Sequence, residues 1–179
     1  HASGFLSSEI LGPARNSGAW RGSMHPLQSF ANIEEALETL PGSFFAIEGD
    51  AEALPVLQEL SQELGGKPLL IRASQKPLYH LAASIASNYL VSLIHLSLRF
   101  LKEVGLPEEE GLKALLPLID GTIKNIRQFG PTQALTGPIA RGDRDVVKGH
   151  IQAISDIERQ GMLERMPRVI RELYLSLGL

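Results

Sequence analysis

The sequence predicts an α/β first half with a mostly parallel sheet and an all-helical second half, on three observations. The runs SFFAIEGD at 43–50 and KPLLIRA at 67–73 read as strands, each apolar and bounded by turn residues. Between them Leu57, Leu60 and Leu64 recur at helical spacing, and Gly65-Gly66 supplies a stop. A strand, a helix and a strand of these lengths make a βαβ unit, whose strands run parallel. After residue 74 strand signals cease, so the chain is divided into 1–73 and 74–179.

The remaining elements follow in order. Residues 6–17 suggest a short helix weakened by Gly12 and Pro13, and AWRGSMHP reads as a strand stopped by Pro26. Asn32 with Glu35 three residues on has the form of a capping box for IEEALETL, and Asp50 is placed to cap the helix after the 43–50 strand. A long helix is expected over 77–104, ending at Gly105. Pro107 and three glutamates then open a helix to about 128, kinked at Pro117 and broken at Gly130-Pro131. ALTGPIARGD reads as a loop, Asp143 as the cap of a helix through Ile154, and a last helix follows Pro167.

Composition narrows the partners. Of 179 residues, 44% are apolar and 21% charged, the balance of a globular protein. Seventeen basic and 20 acidic residues leave a net charge of −3, which offers nothing to nucleic acid or an anionic membrane. Without cysteine, thiol nucleophiles and cysteine-ligated metals are excluded. These features suit a cytoplasmic protein. Residues 77–98 carry no Asp, Glu, Lys or Arg, but two His, one Asn and four Ser point to a helix buried in protein rather than in lipid. The chain opens on His1 without an initiator Met, which suggests a fragment.

That long helix poses the functional question. At roughly 100° per residue, Lys76, His80, Ser84, Ser87 and Asn88 share one face, with His95 in the same arc, opposite Leu78, Leu81, Ala82, Ile85, Ala86, Tyr89 and Leu93. A solvated face would carry Glu and Lys. One reading is a substrate cleft, with His80 exchanging a proton near neutral pH and Asn88 anchoring by hydrogen bonds. A second is a packing or dimer face whose polar groups satisfy one another. A metal site is the third and is disfavoured, because no acid sits on the stripe.

The blocks SGFLSSEIL, SMHPLQSF, FAIEGD, KPLYHLAASIASNYLVSL and ALTGPIARGD together resemble the Rossmann-like proteins carrying domain of unknown function 2520. More distantly the layout is similar to pyrroline-5-carboxylate reductase and the beta-hydroxyacid dehydrogenases. The resemblance implies that residues 1–73 are the C-terminal part of a Rossmann-like domain. It implies that 74–179 form a helical dimerisation and substrate domain like the C-terminal part of 6-phosphogluconate dehydrogenase. It further implies NAD(P) in the full-length parent, hydride transfer to or from a small carbonyl, hydroxyacid or imine, and a homodimer. Such families open on a strand and a glycine-rich turn that holds the pyrophosphate. None of the 17 glycines here makes GxGxxG, so this chain alone is not expected to bind the dinucleotide. The alternative is a non-catalytic dimerisation or dinucleotide-sensing module.

The resemblance assigns His80 to the proton, and Asn88 and Lys76 to positioning the substrate. The dehydrogenases' Lys and Asn one turn apart are matched only in part. His25 and Ser29 sit where a strand ends, the usual place for ligands of a parallel sheet, although His25 can equally be a turn-capping residue. Ser84 joins them from the stripe. Thr136, Gly137 and Arg141 can grip an anionic substrate group or form an ordinary interhelical loop. Trp20, Tyr89 and the methionines are assigned to core or interface.

Overall fold

The computed structural model describes residues 1–159; the helix expected after Pro167 lies outside them. A first compact unit spans His1–Leu90 and a second begins at Val91.

The first unit is built on three strands in spatial order β1 (Gly22–Pro26), β2 (Phe44–Gly49) and β3 (Lys67–Leu70). β2 and β3 are parallel, joined by helix α3 (Ala53–Glu63) as the βαβ pattern requires. β1 is antiparallel to β2, with Gly22 opposite Gly49 and Pro26 opposite Phe45. The expectation of a mostly parallel sheet is corrected accordingly. Its physical origin is helix α2 (Ile33–Thr39), which buries no residue and leaves Ile33 and Leu37 exposed. A helix that covers no sheet face is a connection rather than a crossover, so nothing carries the chain back for a parallel return. The ladder instead continues through Leu27 N–H to the Phe44 carbonyl at 2.7 Å.

The core lies on β2, where Phe45, Ala46 and Ile47 are closed to solvent and Ala53 of α3 covers them. Gly66 passes so near the Phe45 ring that no side chain fits there. Gly65, at φ +72°, ends α3 in the left-handed region. Asn32 caps α2 by accepting from the Glu35 amide at 2.8 Å. Asp50 does not cap α3 with its side chain. Its carboxylate takes the guanidinium of Arg21 at 2.8 and 3.2 Å and the Arg21 amide at 2.9 Å, fastening the start of β1 to the end of β2. Trp20, expected in core or interface, is 64% exposed.

The N-terminal segment adds a polar layer beneath the sheet. A 3-10 turn at Ser8–Leu11 runs into the single turn α1 (Gly12–Arg15), where one short helix was expected. His1 pairs with β1 through its ammonium to the Gly22 carbonyl and its own carbonyl to the Met24 amide.

The expected long helix is three pieces. α4 (Lys76–Ser84) passes through a π turn at Ile85–Tyr89 into α5 (Leu90–Glu103), which Gly105 ends at φ +91°. In the second unit α6 (Glu108–Ala134) contains Pro117 without loss of helical backbone. The break falls at Gly130 (φ 76°, ψ 164°), where the Gly130-Pro131 pair predicts it. The stretch read as a loop contains a short helix, α7 (Gly137–Arg141). Asp143 caps α8 (Arg144–Arg159) by accepting from the Val146 amide at 3.3 Å.

Candidate active site

A cleft of about 690 Å³ opens between the end of β1 and the helix α4 with its π turn. His25 and Ser29 reach it from β1 and the segment after it; His80, Ser84, Ser87 and Asn88 reach it from the helix. Five of the nine residues singled out from sequence (His25, Ser29, His80, Ser84 and Asn88) therefore share one space.

The two imidazoles are neighbours, with centroids 6.2 Å apart and planes at 67°. His25 Nδ1 lies 2.9 Å from the hydroxyl of Tyr79, whose ring meets it edge-on at 5.6 Å. Phe5 closes edge-on against His80 at 6.1 Å. Behind the pair the buried Gly4 comes so close that a Cβ there would stand 2.6 Å from His80 Cδ2 and 2.8 Å from His25 Nε2. Burial, and then the nearby His80 and Lys76, push His25 below the usual imidazole pKa of 6.5, while burial pushes the Tyr79 phenol up. Both effects favour the neutral form of His25.

Lys76 is placed otherwise than the stripe suggested. It is closed to solvent and does not line the cleft. Its ammonium donates to the Ser3 carbonyl at 2.8 Å and to Ser23 Oγ at 2.6 Å, with Glu48 Oε1 at 3.7 Å. Glu48 in turn accepts from the amide and hydroxyl of Ser8 at 2.7 and 2.8 Å. Burial pushes the Lys76 pKa down and Glu48 opposes the fall. A buried cation with these partners belongs to the packing of residues 3–8 on the sheet.

Ala82 and Ala86, expected on the apolar face, also line the cleft, where their small side chains leave room. The π turn widens the helix locally, so uniform 100° arithmetic does not hold across it. Thr136, Gly137 and Arg141 stand at and within α7 in the second unit, with Thr136 and Arg141 exposed. Tyr79 was missed by sequence reasoning. A tyrosine beside the proposed histidine was the available signal, but its His25 partner is 54 positions away.

The premise that led to His25 also changes. Because β1 is antiparallel, its carboxyl end lies beside the amino ends of β2 and β3. At the carboxyl ends of the parallel pair is a separate, mainly apolar crevice of about 460 Å³, bordered by Gly49, Leu54, Leu70 and Arg72. Among the described residues its lining has no imidazole, hydroxyl or Asn side chain.

The family follows from a direct comparison: residues 43–178 match the model of the domain of unknown function DUF2520. The chain belongs to that family. It is similar along its whole length to protein TM1727 of Thermotoga maritima, with 37% identity and a TM-score of 0.74, and covers 69% of that chain. With 24% identity and a TM-score of 0.69, 96% of it superposes on BF3122 of Bacteroides fragilis, a protein provisionally named an NADP oxidoreductase. It covers 64% of BF3122, so the two share a fold and the chain spans under two thirds of that protein's length. None of the curated proteins matches. Among the described residues the fold of this DUF2520 chain is a small three-stranded sheet with mostly helical content, and the chain's fold is similar to that of BF3122.

The described residues do not fit the phosphates of a dinucleotide. The turns after β1 and β3 carry no glycine, and the turn from β2 to α3 places Asp50 and Glu52 where phosphates would have to lie.

Proposed function

We propose that this chain is the substrate-side portion of an NAD(P)-dependent oxidoreductase acting on a small carbonyl, hydroxyacid or imine. The dinucleotide would be held by other residues of a longer protein. The observation that carries the reading is the convergence of His25, His80 and Asn88 on one cleft that has, among the described residues, no Lys, Arg, Asp or Glu in its lining. Such a lining suits an uncharged polar group such as a carbonyl or imine. His80 gives or takes the proton, and Asn88, Ser29 and Ser84 hold substrate oxygen or nitrogen by hydrogen bonds. The hydride chemistry belongs to the cofactor, and no step of it is assigned to residues of this chain.

The longer protein, supplied with NADPH and a panel of oxo acids and imines, tests the proposal. Turnover that His80→Ala abolishes at an unchanged unfolding midpoint supports it. No turnover by the parent, with His80→Ala lowering stability, favours the second reading, a non-catalytic dimerisation module. What favours that second reading is the exposed apolar face of α4, described below.

A further inference from the structure

Two imidazoles side by side in one cleft raise the question of how their work is divided. His25 and His80 differ in one respect visible in the geometry: His25 has a fixed polar partner on Nδ1, the Tyr79 hydroxyl at 2.9 Å. Tyr79 is itself part-buried and lines the cleft. A neutral imidazole has one nitrogen that accepts and one that donates, and the partner of one decides the state of the other. A phenol hydroxyl is a good donor and an unprotonated imidazole nitrogen a good acceptor, which favours the phenol donating.

We propose that Tyr79 is the positioning residue of this cleft. Its hydroxyl donates to Nδ1 of His25 and fixes the hydrogen of that ring on Nε2. His25, with Nε2 against the Gly4 backbone, then stays a neutral ring that shapes the cleft, and His80 alone exchanges the proton. This division of labour rests on the cleft being the reacting site; the direction of the Tyr79 hydrogen bond does not.

The groups around His25 act in the same sense. From α4 it faces Tyr79, His80 and the buried ammonium of Lys76; from the N-terminal segment it faces the backbone of Gly4. A second positive charge beside Lys76, or beside a protonated His80, is disfavoured, and Gly4 leaves no room for water against the ring.

The test needs no turnover and uses this chain. In nitrogen-15-labelled protein at neutral pH, long-range imidazole correlations should show His25 with Nε2 protonated and Nδ1 bare. In Tyr79→Phe the Nδ1 signal should move toward that of a free imine nitrogen. The titration midpoint of His25 should rise, because a hydrogen bond donated to the neutral ring has been lost. Hydrogen found on Nδ1 of His25 in the wild type overturns the proposal, as does a midpoint that falls or stays fixed in Tyr79→Phe. A fall means that the ring donates to the phenol; no change means that Tyr79 only packs. Should Tyr79→Phe lose its dispersed spectrum, the wild-type correlations still decide. If the longer protein shows no turnover but the Nε2 tautomer is found, the functional reading fails and the hydrogen-bond assignment stands.

Discussion

At the scale of single residues, the cleft was legible where the signal was local and illegible where it was not. His80, Ser84 and Asn88 stand out because amides, hydroxyls and imidazoles at helical spacing are unusual on a face without charge. Lys76 obeys the same spacing, yet it is drawn inward by Ser3, Ser23 and Glu48, three partners from three distant parts of the chain. No periodicity reveals that. Gly4 was also silent in sequence, and its lack of a side chain is what lets the N-terminal segment pack against both imidazoles. Gly4→Ala should therefore force the rings aside and destabilise the protein by about 1–3 kcal/mol, the usual cost of overpacking. Urea unfolding measures that loss, and the ring signals of both His25 and His80 should shift in the same variant.

At the scale of elements, strand and helix identities followed from apolar spacing, but the direction of β1 did not. Direction depends on whether the intervening helix buries a face, and the exposure of α2 is a tertiary fact. The π turn was equally hidden, since one inserted residue in a helix leaves no mark in composition. The Arg21–Asp50 tie that joins β1 to β2 carries its own pH signature. Arg21 holds the Asp50 carboxyl down from 3.8 to about 2. A lowered carboxylate pKa gives stability that is complete above the unfolded value and is lost as pH falls through the folded one. The urea midpoint should accordingly drop between about pH 5 and pH 2, and Asp50→Asn should flatten that part of the profile. His25, lowered from 6.5, binds its proton more readily when unfolded, so it adds a loss that begins as pH falls below 6.5.

At the scale of the whole molecule, the long helix is largely exposed among the described residues, where burial was expected. The run Ala73–Glu103 is long and apolar enough to cross a bilayer, and only 6% of its most apolar window is buried. Leu78 is 72% exposed and Ile85 51%, on a helix whose other side lines the cleft. A face of this kind needs a cover, and a second copy of the chain is the proposed one. Sedimentation at micromolar concentration should give a dimer that Leu78→Glu converts to a monomer; a wild-type monomer that binds lipid vesicles would replace the partner subunit with a bilayer. The central claim, that the cleft at the end of β1 receives the substrate, is tested most directly by mapping chemical-shift changes as a small 2-oxo acid or a cyclic imine is titrated into this chain. The account predicts saturable shifts centred on His25, Ser29, His80, Ser84 and Asn88. Shifts gathered instead around Gly49, Leu70 and Arg72, at the carboxyl ends of the parallel strands, would contradict it.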